Sequence, residues 1–90
     1  MKIKDAKKLS EVVNPADYPE SMRELNRVLK IVRPQIKAVF RQGRGYVYVS
    51  GDDVDHCYSQ SCEVWRASHL TFERWIETMD AKVNETREAL

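Results

Sequence analysis

Residues 52–90 contain neither glycine nor proline, the longest unpunctuated run in a chain of 90 residues. Nothing in it forces the backbone to turn, so it sets the scale of the fold. Gly51 stands just before it, and Asp52, Asp53 and Asp55 follow. Carboxylates there suit a helix start: Asp52 can cap free backbone N–H groups, and the other two meet the positive end of the dipole. Val54, Tyr58, Ser61, Trp65, Ser68, Phe72, Trp75 and Met79 then alternate at steps of four and three, the rhythm of a helix seam. Val83, Thr86 and Leu90 prolong it. Asp55, Glu63, Glu73, Glu77, Asp80 and Glu88 fall on the opposite side and give the helix an acidic back.

One helix through this run is about 58 Å long. A compact domain of this size has a radius of gyration of only about 12 Å. Either the helix breaks or the molecule is elongated. Thr71 offers an N-cap for a break near 68–71, with Leu70 and Trp75 as its hydrophobic staple. The seam keeps its phase across that site, which favours a continuous or kinked helix over about 52–89.

Upstream, Ile3, Ala6, Leu9, Val12 and Val13 predict a short helix over 3–13, stopped by Asn14-Pro15. Ser21 and Glu24 form a capping box, so a second helix starts near residue 20. Its apolar stripe is Met22, Leu25, Val28, Leu29, Val32, Ile36, Val39 and Phe40. Its basic stripe is Arg23, Arg27, Lys30, Arg33, Lys37, Arg41 and Arg44. Both stripes keep phase across Pro34, which favours a kinked helix over about 20–42. The alternative ends the helix near Arg33 and pairs a strand at 35–41 with Tyr46-Val47-Tyr48-Val49-Ser50 across Gly43-Arg44-Gly45. If 35–41 is helical, the strand at 46–50 needs another partner, such as its copy in a second subunit, because a lone strand leaves its backbone unsatisfied. The expected fold is therefore mainly α. A long C-terminal helix packs against helix 20–42 as a hairpin, with a short N-terminal helix and one short strand or hairpin around 46–50.

Ninety residues make a single small domain with a marginal core. Lysines near the N-terminus are followed by no apolar stretch of the signal-peptide kind, and no run reaches the ~20 apolar residues of a membrane span. Two cysteines are too few for a disulfide scaffold. A cytoplasmic protein is expected. The net charge of +1 hides an asymmetry: residues 1–50 carry 11 cations and 5 acids, residues 51–90 carry 4 and 9. Opposite halves of this kind pair with each other in a helical hairpin, or leave a basic face for a polyanion.

Chemistry is sparse. His56, Cys57, Cys62 and His69 cluster within 14 residues, but their spacing matches no common zinc finger. On a helix Cys57 and Cys62 lie about 140° apart and cannot share an ion. Asp52 and Asp53 after a strand have the form of a metal-holding carboxylate pair, yet no third carboxylate on another strand accompanies them. No phosphate-binding glycine loop occurs, and His56 near Ser59 and Ser61 makes no triad. No catalytic residue, metal or cofactor is expected.

What remains is binding. The leading expectation is a small non-enzymatic regulator, inhibitor or adaptor, possible as a homodimer. It would hold another protein through the aromatic seam of Tyr58, Trp65, Phe72, Trp75 and Met79. The alternative is nucleic-acid binding through Arg23, Arg27, Lys30, Arg33, Lys37, Arg41 and Arg44, with Tyr46 and Tyr48 stacking on bases.

Overall fold

The computed structural model describes residues 6–90. Two helices and one β-hairpin, joined by three short 3₁₀ turns, form an α+β fold. The helices are α1, Met22–Val32, and α2, Phe72–Ala89; the strands are β1, Val39–Gln42, and β2, Val47–Ser50. This overturns the expected mainly α helical hairpin. The largest dimension is 37 Å and the radius of gyration 12.5 Å, so a 58 Å helix has no room.

α1 starts as the sequence reads. Ser21 Oγ accepts from the Glu24 N–H at 3.1 Å, and Glu24 returns the bond to Glu20 N–H at 2.9 Å. Leu25, Val28, Leu29 and Val32 bury one face. The helix then stops instead of kinking. Arg33 precedes Pro34, and a residue before proline is driven out of the α region; its φ and ψ are −136° and 62°. The basic and apolar periodicity beyond Pro34 is therefore not helical. Val39 to Gln42 enter β1 and pair with β2, Phe40 opposite Val49 and Arg41 opposite Tyr48.

The hairpin has two covered edges. On the β1 side, Asn26 of α1 bonds both backbone groups of Phe40, at 2.8 Å each. On the β2 side, residues 60–64 run alongside: Val47 N–H donates to Val64 O at 2.7 Å, Cys62 N–H to Val47 O and Val49 N–H to Gln60 O, both at 2.8 Å. β2 thus finds both neighbours within the chain. Phe40, Val47 and Val49 point into the core, leaving Val39, Arg41, Tyr46, Tyr48 and Ser50 on the outer face.

The glycine-free run is divided. Asp52–Val54 is a single 3₁₀ turn, residues 55–66 are irregular, and α2 begins at Phe72. Residues 56–62 are His, Cys, Tyr, Ser, Gln, Ser and Cys, most of them middling or poor helix formers, and serines compete for backbone bonds. As a helix, the seam there would offer only Ser61 and Ser68 between its aromatics, too little apolar area to repay the helix. Pairing with β2 satisfies that backbone instead. Asp53 does not cap a helix: its carboxylate accepts the Lys37 N–H at 2.8 Å, and its own N–H donates back to Lys37 O at 3.2 Å.

Thr71 is the N-cap of α2, its Oγ accepting from Arg74 N–H at 3.2 Å. Phe72 and Glu73 N–H donate to the carbonyls of Asp17 and Pro15, so the proline loop closes the helix's free end. Phe72, Trp75, Ile76, Met79, Val83 and Thr86 are buried. Trp75 meets Phe40 edge-on, ring centroids 5.0 Å apart, and its indole N–H donates to Ala67 O at 2.8 Å. Around residue 9 the chain makes a 3₁₀ turn, Leu9–Glu11, in place of the expected helix 3–13; Ile3 of that expectation lies outside the described residues. Among the described residues, no helix is long and apolar enough to cross a membrane.

Candidate nucleic-acid interface

The basic residues of 23–44 do not sit on one helix, yet the fold gathers most of them. α1 lies against the edge of β1, and a groove of about 540 Å³ opens between its outer face and the segment leading into β1. Arg23, Arg27, Lys30, Arg33 and Lys37 line it, with Leu29, Ile36 and Val39 among its apolar groups and, among the described residues, no acidic one. Spacing of three and four on α1 aligns Arg23, Arg27 and Lys30, and Arg33 follows as the residue that ends the helix. Lys37 is brought in by the strand approach, which two bonds to Asp53 hold in place. Arg41 continues along the outer face of the sheet, and Arg44 stands in the hairpin turn.

Among the described residues, the two oppositely charged halves form one ion pair with each other. Arg33 alone of the seven forms a salt bridge among the described residues. Its Nε donates to Asp80 Oδ1 at 3.0 Å and its Nη2 to Asp80 Oδ2 at 2.8 Å. Donating these hydrogen bonds to Asp80 raises the Arg33 pKa, against a smaller opposing effect of burial. The other described salt bridge, Arg74 with Glu77, lies within α2. Arg23, Arg27, Lys30, Lys37, Arg41 and Arg44 are all exposed.

The aromatic seam splits. Phe72 is 3 % exposed, and Trp75 and Met79 are fully enclosed. They hold the core together and have no surface to offer a partner. Tyr58 is 95 % and Trp65 68 % exposed. Tyr58 N–H is held by Glu85, and Trp65 O accepts from Gln42 Nε2 at 3.0 Å, so the two stand at opposite ends of the 60–64 segment.

Tyr48 on the outer face of β2 and Tyr46 just before that strand have ring centroids 5.8 Å apart. Beside them is an open hollow of about 390 Å³ lined by these two rings with Ser59, Gln60 and Ser61. The three polar residues carry no sequence signal as a site. Only the pairing of 60–64 with β2 brings them there.

The cysteines and histidines differ in their surroundings. Cys57 is buried, its Sγ within hydrogen-bond distance of the Val54 and Ser59 carbonyls; His56 and His69 are exposed. Cys62 is half-buried, and burial pushes its thiol pKa up to about 11, only partly offset by Lys82. Among the described residues, no three His, Cys, Asp or Glu side chains are grouped to hold a metal ion. No protein-family model matches the chain, and comparisons with curated proteins and with solved structures find no significant match.

Proposed function

We propose that this is a small non-enzymatic binding protein, a regulator or adaptor, whose partner is a nucleic acid held in the groove between α1 and β1. One observation carries the reading: five cations line a groove that has no acidic residue among its described lining, and among the described residues only Arg33 of the five is paired. Cations left unneutralised in a concave, apolar-floored site gain most from a polyanion, through counterion release. Internal charge pairing, which would make the basic stripe merely structural, amounts to a single ion pair across the two halves among the described residues.

Retardation of nucleic acid across a salt series tests it. Binding should weaken steeply as salt rises. Arg27→Ala with Lys37→Ala should weaken it further and flatten the salt slope by about 0.7 to 0.9 per lost phosphate contact. Absence of binding at low salt removes the reading.

A second reading, a protein partner, is favoured by Trp65, a large ring 68 % exposed. Exposed tryptophans are frequent interface anchors. Its surface is confined to Trp65 and Tyr58, since Phe72, Trp75 and Met79 are in the core. A partner recovered from native extract that Trp65→Ala still retains would exclude Trp65 as the anchor.

A further inference from the structure

A basic groove alone does not distinguish a duplex from a single strand. The sheet beside it carries that distinction. Val39 lines the groove and also begins the outer face of β1. The next outward residue is Arg41, directly across from Tyr48, and the Tyr46 ring, just before β2, lies beside that of Tyr48. The cations of the groove and the two tyrosine rings thus lie along one path, crossing from α1 over the hairpin.

The end of that path differs in chemistry from its beginning. The hollow beside the rings is lined by Tyr46, Tyr48, Ser59, Gln60 and Ser61, with no charged side chain. Aromatic faces with hydroxyl and amide groups suit an uncharged, flat, hydrogen-bonding group. An acidic peptide offers only small amide planes there, whereas a nucleotide chain alternates broad aromatic, hydrogen-bonding bases with phosphates. A duplex keeps its bases stacked inside and cannot lay them on a sheet face. The Tyr46 ring is also held in place. A Cβ on Gly43 would stand 2.9 Å from its Cζ, so the glycine is the space the ring occupies.

From this we infer that the groove and the tyrosine face form one site for single-stranded nucleic acid. Phosphates run along Arg23, Arg27, Lys30 and Lys37, and unpaired bases lie on Tyr46 and Tyr48. This rests on the nucleic-acid reading above and adds to it the form of the strand.

Fluorescence anisotropy with the full chain tests it, using labelled oligothymidylate and oligouridylate of about 12 nucleotides, a duplex of the same length, and labelled polyglutamate. The single strands should bind about tenfold or more tighter than the duplex. Tyr46→Leu and Tyr48→Leu should each weaken single-strand binding about tenfold and leave the duplex unchanged, while Tyr48→Phe binds like the parent. Gly43→Ala displaces the Tyr46 ring without altering charge and should weaken the single strand as well. Thermal unfolding identifies variants that have lost the fold. Equal binding of single strand and duplex, with both leucine variants unaffected, overturns the single-strand site and leaves the basic groove standing. No binding of any nucleic acid at low salt overturns both readings. Polyglutamate bound more tightly than every oligonucleotide also overturns both, and assigns the groove to an acidic protein.

Discussion

Asn26 acts as a one-residue strand for Phe40: its Nδ2 donates to the Phe40 carbonyl and its Oδ1 accepts the Phe40 N–H, both at 2.8 Å. The two residues are 14 apart in sequence and are brought together only when α1 docks on β1. Replacing Asn26 by alanine strands two backbone groups beside a buried ring. Each such group costs about 1–3 kcal/mol, so Asn26→Ala should lower unfolding free energy by about 3 kcal/mol in chemical denaturation. Asn26→Asp keeps one bond and sets a carboxylate against a carbonyl, and should be no more stable.

Arg33 and Asp80 join the end of α1 to the middle of α2 through two near-parallel hydrogen bonds. Both side chains are about a third exposed, at 33 % and 37 %. Solvent screening therefore holds their coupling to about 1 kcal/mol. A double-mutant cycle with Arg33→Ala and Asp80→Ala measures it. Coupling indistinguishable from zero would show the pair to be incidental.

Gly51 and Gly45 both have positive φ, at 140° and 74°, but for different surroundings. A Cβ on Gly51 would stand 2.2 Å from Lys37 O, against backbone that cannot yield. Around Gly45 nothing lies within 4 Å. Gly45→Ala should cost about 1 kcal/mol, the backbone penalty alone. Gly51→Ala should cost at least about 3 kcal/mol or abolish folding. Melting temperatures of the two variants rank them directly.

The two tryptophans give a similar contrast. Trp75 is enclosed and bonded to Ala67, so Trp75→Ala should cost about 3–5 kcal/mol. Trp65→Ala should fall within about 0.5 kcal/mol of the parent. Only the second is a clean probe of a binding partner.

Cys62 links stability to alkaline pH. Burial raises its folded pKa to about 11 from an ordinary value of 9.0, with the neighbouring Lys82 ammonium opposing and Cys57 adding slightly. The folded state therefore holds the thiol proton more tightly. Its contribution is complete below pH 9 and is lost as pH rises through about 11. Denaturation midpoints of the parent should fall more steeply over that window than those of Cys62→Ala. At about pH 8 the folded protein should react with iodoacetamide far more slowly than the unfolded chain.

Much of α1 is legible in the residues themselves. Ser21 and Glu24 cap it, and its apolar stripe is buried through Val32. The second half of the seam, Phe72 to Thr86, also lies where a 3.6-residue period puts it. Periodicity misleads at two places, for one reason. Beyond Pro34 and before Thr71 the spacing is helical, but backbone groups there have a better partner far away in sequence. Phe40 bonds to Asn26, Val47 to Val64 and Val49 to Gln60. A periodic pattern counts side chains on a face and is blind to such pairings. Tyr58 and Trp65, the largest members of the false half of the seam, end up in solvent for that reason. The basic stripe survives the loss of its helix because α1 and β1 are neighbours, and its members reconvene across a groove.

The segment at 60–64 has its own outer side, and Lys82 reaches over from α2 to the Ser59 and Ser61 carbonyls there. With Asn26 holding Phe40 at the far border, the small sheet is covered on both flanks. A foreign strand finds no continuous row of backbone groups to zip onto, so domain-swapped growth and a fibril-like stack of copies lack a template to start from. A partner that meets this sheet therefore meets its outer face and not its edges.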